Sequence, residues 1–204
     1  MIMVNLLLWR VGWLGILAVV MSGGCVHQLA ADPAQEELRE PIVYGQIELW
    51  QEEPSGRIFL PELAAFEFIK DGGGPRYRVV IEAASSFFFL SLDPGHYQLT
   101  RVFIQEGGFR ASAEVPLGFE VPDQGIAYLG KWRFRIGSPN FMRKLEVKVF
   151  SQPVEALVEL RVQYPSVSLN SVKTRLAEPI ELRSRLYEMT PYPRFRWFNR
   201  QTPT

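Results

Sequence analysis

Two histidines, one cysteine and 22 acidic side chains are the groups in this 204-residue chain that could do chemistry. A transition-metal site needs three or four convergent donors, with histidine or cysteine prominent. His27 and His96 lie 69 positions apart and Cys25 stands alone, so no metal is expected. A Ser-His-Asp triad would have to use His96, and no Gly-x-Ser-x-Gly turn offers a nucleophile. Asp71-Gly72-Gly73-Gly74 is glycine-rich, but no Gly-Lys-Ser/Thr follows to hold a phosphate, and no cofactor is expected. Glu52-Glu53 sits in a loop rich in proline and glycine, where adjacent carboxylates read as solvated charge. The chain is therefore read as non-enzymatic. The alternative is a hydrolase acting on cell wall or carbohydrate, which needs a cleft holding two carboxylates at a suitable separation.

Two groups of cations suggest contact with a partner. Lys131, Arg133 and Arg135 alternate with apolar residues and form a basic row on one face of a strand. Such a row is either a solvated, aggregation-guarding face or a docking surface for an acidic partner or lipid headgroups. From Pro179 onward, five arginines stand against two glutamates, and Tyr187, Tyr192, Phe195, Trp197 and Phe198 interleave with them. Arg194, Arg196, Trp197 and Phe198 are the densest part of this tail. Arginine and aromatic residues are enriched in interface cores. Packing on its own domain, contact with a partner or membrane, and disorder all remain open for the tail. Net charge is zero, which gives no general pull toward nucleic acid.

The first 24 residues have the layout of a secretory signal: Arg10, then the uninterrupted apolar run Val11–Val20, then Ser22-Gly23-Gly24 before Cys25. The segment resembles a bacterial lipoprotein signal peptide, and the resemblance implies cleavage before Cys25 and attachment of lipid to it. Val26 lacks the aspartate that commonly retains such proteins at the inner membrane, which points to the outer membrane, periplasmic side. An uncleaved membrane anchor over residues 2–21 and ordinary cleavage leaving a free thiol are the alternatives. With only one cysteine, no intrachain disulfide exists, and the fold must rest on packing.

Removing 24 residues leaves 180, enough for one domain with extensions. Residues 25–40 carry four acids against Arg39 and read as a solvated tether. From Pro41 the pattern has period two, as half-buried strands do. Val43, Gly45, Ile47 and Leu49 share one side. Phe66 and Phe68 lead through Asp71–Pro75 into Tyr77, Val79 and Ile81, a hairpin. Phe87–Leu90 reads as a strand buried on both faces or switching sheets. Asp93-Pro94-Gly95-His96 predicts a type II turn, and strands follow at 97–104 and 109–115 around Gly107-Gly108. In residues 126–136, Ile126, Tyr128, Trp132, Phe134 and Ile136 share one face. Leu145, Val147 and Val149 give another strand. Residues 152–164 fit either a strand or a helix, with Ser151 as cap, Pro153 in the first turn and Val154, Leu157, Val158 and Val162 as the apolar face; the start signals favour helix. One more strand is expected within 167–176.

These elements specify a mainly β fold, a small antiparallel β-sandwich over 41–176, followed by a basic aromatic tail over 177–204. Tyr44-Gly45-Gln46-Ile47, the run Leu92-Asp93-Pro94-Gly95-His96-Tyr97-Gln98-Leu99 and Tyr128-Leu129-Gly130 resemble segments of transthyretin-like, carboxypeptidase-regulatory-like domains. The resemblance implies a prealbumin-like or Ig-like sandwich and no shared catalytic residues. The expected function is a lipid-anchored envelope module that binds or scaffolds a protein partner. A small-ligand site built from the aromatics of 87–89 and 128–134 is a third reading.

Overall fold

The computed structural model describes residues 26–31, 33–34, 39–53, 56–82, 87–138, 142–165 and 172–189. The chain order is β1 (Val26–Ala30), β2 (Ile42–Gln51), β3 (Glu62–Lys70), β4 (Arg76–Val80), β5 (Phe87–Ser91), β6 (Gly95–Glu106), β7 (Phe109–Val121), β8 (Ile126–Ile136), β9 (Lys144–Phe150), α1 (Pro153–Gln163), β10 (Val172–Thr174), β11 (Glu181–Arg185) and β12 (Tyr187–Met189). The fold is a mainly β sandwich. One sheet runs β1-β4-β3-β6-β7-β12 and the other β11-β9-β8-β2-β5, with β10 beside β8. The sheets are mixed rather than purely antiparallel: β1 lies parallel to β4, and both β2 and β10 lie parallel to β8. Parallel neighbours need a long crossover, and strands β3–β7 supply it between β2 and β8.

The main core fills the space between the sheets. Alternation along each strand decides its membership: Val43 and Ile47 from β2, Phe66 and Phe68 from β3, Leu99 and Val102 from β6, and Trp132 and Phe134 from β8 all point inward. Trp132 is the hub, with ring centroids 4.7 Å from Phe88, 5.9 Å from Phe66 and 6.3 Å from Phe119. A second core lies on the outer face of the second sheet, where α1 covers Ile42, Tyr44, Phe89, Ile126 and Tyr128 with Ala156, Leu160 and Tyr164. Phe87–Leu90 serves both cores, Phe88 and Leu90 facing one and Phe87 and Phe89 the other. These aromatics fill the cores, which removes the ligand site that 87–89 and 128–134 would have supplied.

Several expectations need correction. Ile126 and Tyr128 do not share a face with Trp132, Phe134 and Ile136. The pairing of β2 with β8 steps from Tyr44↔Tyr128 to Gln46↔Lys131, a bulge at Gly130. One extra residue reverses every side chain beyond it. Gly130 has φ +101°, and a Cβ there would stand 2.7 Å from Val149. The segment Asp93–His96, expected to turn the chain, carries it from one sheet to the other, since β5 pairs with β2 and β6 with β3 and β7. The Tyr97 hydroxyl donates to the Asp93 carbonyl at 2.8 Å and fixes this corner.

Within 152–164, Pro153–Gln163 is helical, but Gln152 rather than Ser151 is the N-cap residue, and it makes no side-chain cap bond. The buried side of α1 is Ala156, Leu160 and Tyr164, while Val154, Val158 and Val162 face solvent. Residues 25–40 are not a free spacer where they are described. Val26–Ala30 pairs along its whole length with β4, Ala31 is buried, Pro33 accepts from the Tyr164 hydroxyl, and Glu40 accepts from Gly125 N–H. Main-chain bonding to the open edge of β4 outweighs the low apolar content of this stretch. The sandwich also extends beyond residue 176, because β11 and β12 edge the two sheets.

Candidate functional site

Lys131, Arg133 and Arg135 lie together on the outer face of the second sheet, but acids on neighbouring strands meet them. Glu48 on β2 sits opposite Arg133, accepts from its Nε at 2.7 Å and lies 3.4 Å from Lys131 Nζ. Arg135 pairs with Glu52 and, at 3.3 Å, with Glu146 on β9. Glu146 also pairs with Arg183 on β11 at 3.2 Å and with Lys148 at 3.6 Å. Cross-strand register places opposite charges side by side, so the row is one column of a charge lattice. Burial raises the Glu48 and Glu146 carboxyls, but hydrogen bonds and charge attraction from the surrounding cations, Arg133 and Lys131 for the first and Arg183 and Lys148 for the second, together outweigh it and hold both below the ordinary range. A partner binding this row would have to displace those acids. Cys25, Arg194, Arg196, Trp197 and Phe198 lie outside the described residues.

His96 is exposed at the start of β6 and lines an open groove of ≈ 640 Å³ together with Asp71, Gln98, Glu120, Arg175 and Glu178. The Gly118–Glu178 backbone bridge straps the 175–178 segment across its floor. Glu120 is tied to Arg175. Among the described residues, no group of three or more His, Cys, Asp or Glu side chains is placed to hold a metal ion.

The most unusual arrangement lies at one end of the sandwich, where β2 passes to β3, β6 turns into β7, β8 passes to β9, and β12 finishes. Arg143 and Glu106 are there, 2% and 3% exposed. Arg143 Nη1 donates to Glu188 at 2.6 Å and to Glu106 at 3.3 Å, while its Nε donates to the Gly137 carbonyl at 3.0 Å. Arg57, in the β2–β3 loop, donates to Glu106 at 2.5 Å and to Glu188 at 2.9 Å, and its guanidinium lies 3.9 Å from the Phe109 ring centre. Two arginines and two glutamates from four separate segments thus close a charge-balanced cluster, in which the buried Arg143 and Glu106 are paired as buried charges must be, while Arg57 is half-buried and Glu188 lies at the surface.

Directly after this pinned arginine, Ile58, Phe59 and Leu60 project outward, 94%, 62% and 79% exposed. Phe59 lies so close over Gly107 that a Cβ there would meet its ring and push it aside. Exposed Met142 and Tyr187 stand at the same end. The available sequence signal for this tip was a run of three large apolar residues between Arg57 and Pro61, without alternation. The ionic cluster left no such signal, since its partners are 37 to 131 residues apart.

The cluster carries a pH prediction. Burial raises the Glu188 carboxyl, but hydrogen bonds from Arg57 and Arg143 outweigh this and hold it below its usual value. A carboxylate depressed in the folded state contributes stability that is present above its unfolded pKa and lost as pH falls through the folded one. Melting temperature should therefore hold from neutral pH down to about 4.3 and then fall. Glu188→Gln should start lower and lose less on acidification; a variant whose melting temperature falls as steeply as wild type would remove Glu188 from this account.

No family model, no curated protein and no solved structure matches the chain.

Proposed function

We propose that this chain is a lipid-anchored, non-enzymatic binding or scaffolding module of the cell envelope, held through Cys25 and presenting its apolar end to a partner. The observation that carries the binding role is the Ile58–Leu60 tip on its ionic base. Exposing three consecutive large apolar residues is costly in water, and a contiguous apolar patch rimmed by charge marks a contact surface. The apolar leader and the small residues before Cys25 support the anchor. The transthyretin-like motifs support a prealbumin-like variant of the sandwich. In cells, the wild-type chain should incorporate labelled fatty acid and fractionate with membranes, most sharply with the outer membrane. Cys25→Ser should incorporate none and leave the membrane fraction. A wild-type chain that takes up no label would overturn the anchor.

A carboxylate hydrolase is the second reading, favoured by the groove where Asp71 and Glu178 stand beside His96. Equal hydrolysis of wall glycan by wild type and an Asp71→Asn, Glu178→Gln variant would end it.

A further inference from the structure

We propose that α1 is the contact between two copies of this chain, its outer valine stripe packing on the same stripe of the other copy across a two-fold axis beside Val158. Neither the anchor at Cys25 nor the apolar tip is needed for this contact, so each can fail alone.

The stripe is out of place on a helix that faces water. Val154, Val158 and Val162 are 73%, 60% and 73% exposed. Spaced four residues apart, they share one face over about 12 Å of the axis. Valine is apolar and β-branched, so it is a poorer helix former than the alanine, glutamate or lysine that suit a solvated position. Ala156 and Leu160, which face the second sheet, lie about 160° around the axis from Val158. A helix with apolar residues on opposite sides is suited to being covered on both. Leu160 and Tyr164 already fix α1 in place, the Tyr164 ring 4.6 Å from that of Phe89, so the stripe is presented ready-made and little ordering opposes contact.

Charge identifies the occupant. Glu155 and Arg161 stand three residues before and after Val158, about 60° to either side of it and about 4.5 Å along the axis in opposite directions. Both are exposed, and neither has an ion pair among the described residues. They flank the stripe on opposite sides, so they do not pair with each other. Glu155 and Glu159, four residues apart, are like charges on one side of the helix, which disfavours the helix on its own. A two-fold axis in the contact plane, through Val158 and at right angles to the line from Glu155 to Arg161, answers all of this. Each Glu155 then meets Arg161 of the other copy, and Val154, Val158 and Val162 each meet their own counterparts. The helices cross nearer to perpendicular than to parallel, a rarer class of packing than the shallow ones. A purely acidic or purely basic partner would satisfy one corner of the stripe and oppose the other. A second copy satisfies both, as an isologous contact must. The stripe is small for a stable dimer, so the dimer is weak and reversible, with a Kd expected at about 10–500 µM.

The test uses residues 26–204, which keep every described strand, the helix and both cores and contain no cysteine. Sedimentation velocity should show wild type passing from monomer to dimer across that concentration range. Val158→Lys should stay monomeric throughout and melt no lower than wild type, because the position is exposed and two lysines would meet on the axis. Glu155→Arg and Arg161→Glu should each be monomeric alone and form a mixed dimer when combined, since each supplies the charges that the other lacks. Val158→Cys should form a disulfide-linked dimer under mild oxidation sooner than Ile58→Cys, an exposed control on the tip. Wild type that stays monomeric at the top of the range overturns the proposal. So does a Val158→Lys chain that still dimerises, or a mixture of the charge variants that does not. If residues 26–189 dimerise while 26–204 do not, the stripe is covered by the chain's own C-terminal stretch, and the proposal falls.

Discussion

Trp132→Ala should lower the unfolding free energy by about 3–5 kcal/mol, the range for emptying a large aromatic site in a packed core. Trp132 is fully buried, touches Phe66, Phe88 and Phe119, and its Nε1 donates to the Leu129 carbonyl at 3.2 Å. Its neighbours come from both sheets and are anchored by their own ladders, so they cannot collapse far into the space. Urea denaturation measures the loss. The slope of the transition should stay near wild type while its midpoint moves down. A loss under about 1 kcal/mol, the scale of a tolerated swap, would mean that Trp132 is not the hub the geometry makes it. Trp132→Phe should recover part of the loss, because it keeps ring contacts while giving up volume and one hydrogen bond.

Arg143→Met is expected to cost about as much for a different reason. Removing one member of a buried ion pair leaves the other charged and desolvated, which typically costs about 3–5 kcal/mol. Glu106, 3% exposed, would keep the bond from Arg57 but lose Arg143, and Glu188 would lose its 2.6 Å contact. The diagnostic is the double variant Arg143→Met, Glu106→Leu. Replacing both partners with apolar residues of similar size is often nearly neutral, so the double variant should be more stable than the single. If the two losses simply add, the pair is not coupled and the cluster account fails. The same variants report on the tip. Arg57 takes its position from Glu106 and Glu188, so proteolysis within 56–61 should quicken in Arg143→Met before global unfolding does.

The strands and their approximate limits were legible because period-two alternation is a direct image of a half-buried sheet. Phe87–Leu90 broke that alternation and was legible for the opposite reason, since only a strand covered on both faces tolerates four large apolar residues in a row. What the sequence hid was parity. Tyr128 and Trp132 are four positions apart and look like neighbours on one face, yet Gly130 inserts a residue between them and sends them to different cores. A glycine in a strand hints at a bulge but does not announce one. The helix was hidden in part: its start signals were visible, but Val154, Val158 and Val162, three of the four residues read as its apolar face, point to solvent. The basic row was correctly placed on an outer face. Its neutralisation depends on Glu48, Glu52 and Glu146 arriving by strand pairing, which composition does not reveal. The tether reading failed because main-chain hydrogen bonding is nearly indifferent to side chains, so an acidic stretch with few apolar residues can still complete a sheet edge.

β11 and β12 carry a consequence for how the molecule is made. One residue, the buried Leu186, separates a strand that completes one sheet from a strand that completes the other, and Glu188 belongs to the ionic cluster. A ribosome delivers residues in order, so β7 and β9 exist as bare rims until residues 181–189 arrive. Unpaired rims invite mispairing with other chains. The nascent protein is therefore most vulnerable late in synthesis, and this nine-residue clasp fastens both layers in a single step.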